Sequence, residues 1–297
     1  MKSMKKIMMT LAAVLCCTIS IFGQDEPTDR NRTYRITLNN VQYAHHDEKM
    51  SAGDAVGKIL SGALTGQTSV QATEYEDDVK NAIIKGLSGA YRFRYNDGLV
   101  QLDDVTEEGN LVVDAIITNI MSNSSSRTWK DKDDKTQVST TYTGVAEVML
   151  ALKDAKTGEI LANPSFKGQG TSASSYSTSG KAILDALNGL SNRIAAWLNN
   201  YRPIRANIIE GSAAKKDKQK EVYIDLGSNE GAFEGLHMGV YIVKTVAGRE
   251  AKSQIGKLKI EAVEGDDISR CKVQSGAKEI KAAIDDGEQL KVISLAK

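Results

Sequence analysis

Apolar residues recur along this chain with two periods, and the two periods alternate. Tyr34, Ile36 and Leu38 alternate with Arg35, Thr37 and Asn39, the mark of a half-buried strand. Val79, Ile83, Leu87 and Tyr91 then step by four and predict a helix over 74–91. Asp77 and Asp78 fall in its first turn, where the helix dipole favours acids. Residues 91–95 alternate again and run into the turn signal Asn96-Asp97-Gly98. Residues 111–121 are apolar on both faces, with Val113, Ala115 and Ile117 on one and Val112, Ile116 and Ile120 on the other. That predicts a central strand covered on both sides. A polar span over 122–135 follows, then a second long strand over 138–153. The turn Asp154-Ala155-Lys156-Thr157-Gly158 folds it onto a partner over 160–167. Ile183, Leu187, Leu190, Ile194, Trp197 and Tyr201 step by fours and threes, a helix stripe that Pro203 ends. Thr178 or Ser179 stands where that helix needs its N-cap.

The pattern then shortens. A return strand is expected at 206–209, and the charged stretch 212–220 reads as a linker. Brief strands follow over 221–226, 239–246, 254–263, 268–273 and 289–293, punctuated by glycines at 227, 231, 235, 248, 265 and 287. The fold class is therefore α+β. A mixed sheet with two packed helices over 33–211 is followed by a linker and a small all-β barrel of SH3/OB-like kind over 221–297.

The start of the chain adds an address. Lys2, Lys5 and Lys6 precede a short apolar run over 7–22, which predicts an export signal over 1–23 with the cut at Gly23 or Gln24. Cys16 and Cys17 lie inside that run. They are preceded by Leu15 and Cys16, where lipoprotein processing wants small residues, so simple cleavage is the expectation. Residues 24–32 read as a flexible mature N-terminus. The chain has 38 basic and 38 acidic residues, and loss of three lysines with the signal leaves 35 against 38, a net charge of −3. This excludes a footprint for nucleic acid. Only Cys271 remains in the mature part, so packing and not an internal disulfide must stabilise an exported chain.

Candidate chemistry is sparse. His45-His46-Asp47-Glu48 is the one cluster of metal-ligand types, but neighbours on a strand point to opposite faces, and a solvated loop is the expectation. Asp131, Asp133 and Asp134 lack the glycine and bidentate glutamate of a calcium loop and read as a hairpin tip. Lys156-Thr157-Gly158 and Ser275-Gly276-Ala277-Lys278 imitate two boxes of penicillin-binding enzymes in the wrong order; the second is expected to open no helix that seats a nucleophile. Gly168-Gln169-Gly170 runs into a Ser/Thr-rich loop over 171–180, not directly into a helix, and so fails as a dinucleotide fingerprint. Cys271 in a strand pattern reads as a buried, inert thiol, and Trp129 as too isolated for a stacking platform. No catalytic, cofactor or metal residue is assigned. Two segments are left for contact. One is 51–72, with Val56, Ile59, Leu60 and Leu64 among Gly53, Gly57, Gly62 and Gly66; it reads as a loop or weak helix, or as an amphipathic piece touching a membrane or a neighbour. The other is the charged tip Trp129, Lys130, Asp131, Lys132, Asp133, Asp134 and Lys135.

The order of elements over 33–210 resembles the curli-secretion (CsgG) family, the penicillin-binding-protein activator LpoB and the amino-terminal domain of TolB. The echoes are Leu111-Val112-Val113-Asp114-Ala115-Ile116-Ile117, the turn Asp154-Ala155-Lys156-Thr157-Gly158-Glu159-Ile160-Leu161 and the helix over 181–201. The tail resembles the carboxy-terminal domain of flagellar assembly protein T through Val222-Tyr223-Ile224-Asp225-Leu226-Gly227, Gly239-Val240-Tyr241 and Ile255-Gly256-Lys257-Leu258. The resemblance implies a non-enzymatic assembly or accessory subunit of a secretion or surface-structure complex in the periplasm, without cofactors. It implies partners among other envelope proteins, self-assembly, and peripheral outer-membrane contact. A peptidoglycan-binding or synthase-activating module and a ring-forming outer-membrane channel are the alternatives it leaves open.

Overall fold

The computed structural model describes residues 30–44, 75–96, 109–170, 178–246 and 248–296. The signal over 1–23, its cut at Gly23 or Gln24, Cys16 and Cys17, the histidine cluster, the 51–72 segment and most of the Ser/Thr-rich loop lie outside these residues.

The first half is a six-stranded mixed sheet. β1 (Tyr34–Tyr43) pairs in parallel with β2 (Phe93–Tyr95) and with β3 (Leu111–Lys130). β4 (Thr136–Asp154) runs antiparallel to β3 over the whole length of both, and β5 (Ile160–Ala162) and β6 (Ser165–Gln169) both pair with β4. Two helices, α1 (Glu76–Ser88) and α2 (Ser179–Tyr201), lie together on one face. Their stripes, Val79, Ile83 and Leu87 with Ile183, Leu187, Leu190, Ile194 and Leu198, meet Ile36, Val113, Ala115, Ile117, Ala146, Val148 and Leu150 from the strands. Trp197 and Tyr201 continue the expected stripe half-buried at its edge. Ile116, Met149, Ala151 and Ala44 are buried on the opposite face, as expected of a strand apolar on both sides. Thr178 is the N-cap of α2, its hydroxyl accepting the Lys181 N–H at 3.2 Å.

The second half is a closed six-stranded antiparallel barrel in the order β10-β11-β8-β7-β12-β9. Its strands are β7 (Arg205–Lys215), β8 (Lys218–Ile224), β9 (His237–Val246), β10 (Arg249–Val263), β11 (Ser269–Ser275) and β12 (Leu290–Ser294). Val222, Ile224, Met238, Val240, Leu258, Ile260, Cys271, Leu290 and Val292 fill it.

Three expectations need correction. Residues 212–220 are no linker. They are the far end of the β7–β8 hairpin, and the chain passes from α2 into the barrel at 202–204. The barrel is not all-β, because Gly276 (φ +73°) turns the chain into α3 (Ala277–Asp285) and Ile280 and Ala283 pack into the barrel core. A side chain at Gly276 would meet the Ile255 carbonyl oxygen, so the residue is required to be glycine. The polar span forms the arms of the expected hairpin tip, since β3 runs on to Lys130 and β4 begins at Thr136. Finally, residues 30 and 31 are not loose. The Arg30 guanidinium donates to Asp225 at 2.8 Å and to Glu230 at 3.0 Å, and Asn31 exchanges hydrogen bonds with the Arg205 backbone.

Candidate functional site

β3 and β4 outlast the sheet that holds them. β1 leaves β3 after the Tyr43–Ile117 pair, and β6 leaves β4 after Val145–Gln169. Beyond that point the two strands continue alone, paired from Ser122–Gly144 to Lys130–Thr136, with no third strand on either edge among the described residues. Eight residue steps at ~3.4 Å give a ribbon that reaches about 27 Å past the sheet. A two-stranded ribbon is marginal by itself in water, and both open edges carry unpaired backbone groups. It stands here because its root belongs to a packed sheet. Gly144 at that root lies against α2, where an added Cβ would come within 2.0 Å of the Ala182 oxygen.

The tip is built by one carboxylate. Asp131 Oδ1 accepts the N–H groups of Asp133 at 3.0 Å and Lys135 at 2.9 Å, and Oδ2 accepts from Gln137 at 2.7 Å. Those bonds, the Gln137 bond first, hold the Asp131 carboxyl below its ordinary value. Asp134 closes the turn at φ +60° and accepts from Lys130 at 2.8 Å. The expected hairpin tip is therefore present, and its acids are bonded to the tip itself. The charged run does not form one face: Trp129 projects on one side of the ribbon and Lys130 on the other, because successive residues alternate.

The faces differ. One carries Ser122, Ser124, Ser126, Thr128 and Lys130 opposite Thr136, Val138, Thr140 and Tyr142, with a 2.9 Å bond between the Ser126 and Thr140 hydroxyls. The other carries Ser125, Arg127 and Trp129 opposite Gln137, Ser139 and Thr141. Ser125, Arg127, Trp129, Ser139 and Thr141 line an open groove of about 550 Å³. Trp129 is 43% exposed. Arg127 is exposed and makes no hydrogen bond or ion pair among the described residues. Only Trp129 of this groove stood among the sequence candidates. The alternation Ser125-x-Arg127-x-Trp129 would have found the others once the strand was carried past Ser122.

The remaining motifs resolve as structure. Asp154 Oδ1 accepts from the Lys156 and Thr157 backbone, so the Lys-Thr-Gly box is a turn. Lys278 pairs with Asp217 at 2.7 Å on the surface. Cys271 is fully buried, and burial pushes its thiol up to about 12. His237 bonds Gln274. No group of three His, Cys, Asp or Glu residues that could hold a metal forms among the described residues, and no helix among them is long and apolar enough to cross a membrane.

Fold and site thus define a class: a mixed-sheet α+β unit with a closed barrel, presenting a long bare ribbon. No family model matches the chain and no curated protein sequence matches it. Among solved structures it is similar to a hypothetical protein from Chlamydia trachomatis, at 10% identity and a TM-score of 0.30, over 57% of this chain and 94% of that one. A neuraminyllactose-binding hemagglutinin homologue from Helicobacter pylori aligns at 11% identity and a TM-score of 0.28, over 58% and 91%. A lipoprotein from Neisseria meningitidis aligns at 13% identity and a TM-score of 0.17, over 54% and 99%. Similarity at this level assigns neither a function nor a family.

Proposed function

We propose that this chain is an exported, non-enzymatic subunit of the bacterial cell envelope that works by contact, with the β3–β4 ribbon as its contact arm. The export signal read at 1–23 and the resemblance to curli-type assembly proteins support the compartment and the mode of action. The observation that carries the reading is the ribbon itself: two strands extended about 27 Å into solvent, with both edges open among the described residues. Backbone kept unpaired and polar side chains kept exposed over this length add nothing to the core. They are available to something outside it. The side chains of the two strands argue against a membrane pore. A lipid-facing strand alternates apolar-out with polar-in, and neither ribbon face supplies an apolar row. A second reading, a module that binds cell-wall glycan, is favoured by the hydroxyl-lined groove beside Trp129.

Photo-crosslinkers placed at Thr128 and Val138 test the reading in cells, with Lys272 on the barrel as control. Adducts from both ribbon positions and none from Lys272 are expected. Replacing 122–143 by a two-residue turn should leave a folded protein without those complexes. Equal capture from ribbon and barrel, or complexes that survive the deletion, would overturn it.

A further inference from the structure

We infer that the Trp129 face of the ribbon binds a glycan whose sugars carry carboxylates; this rests on the reading of the ribbon as the contact arm and names what one face of it takes. The groove holds three kinds of group and each selects a feature of the ligand. Trp129 offers a broad apolar surface that is 43% exposed. A protein-binding tryptophan ordinarily sits among other apolar anchors. This one stands among Ser125, Ser139, Thr141 and a guanidinium. A ligand that is apolar on one flat side and hydroxylated around its rim fits that mixture, and a pyranose ring is such a ligand: its C–H face stacks on the indole and its hydroxyls exchange hydrogen bonds with Ser and Thr.

Charge then narrows the class. Arg127 has no ionic partner among the described residues. The nearest acid in sequence, Asp131, is turned into the tip and bonded to Asp133, Lys135 and Gln137. The face therefore carries an uncompensated fork of N–H donors, whose best ligand is a carboxylate held by two parallel bonds. Two residue steps at ~3.4 Å separate Arg127 from Trp129 and two more reach Ser125, so the row spans about 14 Å. That suits a short run of rings lying along the strand with one side left open to solvent. Nucleic acid would also offer flat rings and anions. A single arginine on a chain with net charge −3 after the signal is removed supplies too little phosphate neutralisation for it.

The test titrates the chain without residues 1–23 with four probes, reading Trp129 fluorescence and heat. The probes are peptide-free peptidoglycan strands bearing lactyl carboxylates, oligogalacturonate, neutral chito-oligosaccharide of the same length, and a single-stranded oligonucleotide. Either carboxylate-bearing probe should bind about tenfold or more tightly than the neutral one, and the stronger of the two identifies the source of the sugar. Trp129→Ala should weaken that binding by about tenfold or more. Arg127→Ala should erase the preference for acidic over neutral sugar, with Arg127→Lys retaining part of it. Melting of these surface variants should be unchanged. Equal affinity for neutral and acidic sugar, tighter binding of the oligonucleotide, no binding by any sugar, or full affinity in Trp129→Ala would each overturn the inference. Should Trp129→Ala keep the ribbon crosslinks while no sugar binds, the glycan site fails and the contact arm stands. Loss of the crosslinking pattern itself would fail the arm.

Discussion

Substituting alanine for Gly144 or Gly168 should loosen the seat of α2, and with it the root of the ribbon. The two glycines lie on neighbouring strands, β4 and β6, under one face of the helix. A Cβ at Gly144 would stand 2.0 Å from the Ala182 oxygen, and one at Gly168 would stand 2.0 Å from the Ala186 oxygen. Ala182 and Ala186 are successive turns of α2, so both obstacles are helix backbone and no rotamer change clears them. The helix must lift by more than about 1 Å, a gap that forfeits a quarter to a half of each facing dispersion contact. Ile183, Leu187, Leu190 and Ile194 face the sheet from α2. Each makes ~40–60 atom contacts worth ~0.1–0.2 kcal/mol, about 6 kcal/mol in all, of which roughly a third point at the strands. Losing a quarter of that third over four residues comes to about 2 kcal/mol, within the range for overpacked cores. Each single variant should therefore cost about 2–3 kcal/mol. The double variant should cost much less than the sum, because one lift clears both contacts. Urea unfolding in a Trp129→Phe background reads this directly, since Trp197 of α2 sits edge-on to Phe166 of β6 at 6.0 Å. Single variants within about 0.5 kcal/mol of the parent would refute the obstruction. Strict additivity would refute the rigid lift.

Three further outcomes follow from named contacts. With its thiol at about 12, Cys271 is ionised to about one part in 10⁴ near pH 8, so a thiol reagent should react only through opening of the barrel; labelling as fast in the native chain as in urea would contradict its burial. Asp225→Ala should cost about 2–3 kcal/mol, because Asp225 accepts from the Asn207 backbone and side chain as well as from Arg30, whereas Arg30→Ala should cost about 1 kcal/mol. Equal costs in a thermal melt would show the Arg30 pair to be the main contribution. Asp131 has its carboxyl pulled below the ordinary value, so its hold on the tip is complete above about pH 4 and is lost as pH falls through the lower folded value. The protection factors of the Asp133 and Lys135 amides, with the intrinsic pH dependence of exchange divided out, should be unchanged between about pH 7 and pH 5, and a tip that loses protection in that window would contradict the assignment.

What could be read from the chain was what burial writes into it. The α2 stripe, the double-faced core of β3 and the capping threonine are consequences of packing, and each has a period or a fixed offset. The misses share a cause. Ser122 to Lys130 are held in a strand by backbone bonds to β4 and by no buried face, so hydrophobic alternation is silent there. The outer part of β7, with Glu210, Gly211, Ser212 and Ala213, is silent for the same reason and passed for a linker. α3 is nine residues long and marks itself only by Ile280, Ala283 and Ile284 after a left-handed glycine. Of the groove, only Trp129 was marked, as a member of the tip segment and as too isolated for a stacking platform. Its neighbours became a site only when the strand register set them on one side.

The element order also gives the molecule a direction. Tyr34 at the start of β1 donates to the Arg92 carbonyl, and Arg92 in turn donates to the carbonyls of Arg32 and Pro203. Arg30 is clasped to Asp225 and Glu230 of the barrel half. The start of the described chain, the start of the sheet and the entrance to the barrel are therefore at one pole. β1 and β3 run parallel away from it, and the ribbon is the far end of β3. Twenty residues at ~3.4 Å make β3 about 65 Å long, or about 60 Å after sheet twist. The start of the described chain therefore lies toward one end of β3 and the ribbon tip at the other. Spin labels at Glu234, four residues beyond the clasp residue Glu230, and at Asp133 on the tip measure that span. Their distance distribution should centre near 60 Å and stay narrow, because the ribbon root is fixed by β1, β6 and α2. A centre below about 40 Å would mean that the ribbon folds back on the sheet, and the contact-arm reading would fall with it.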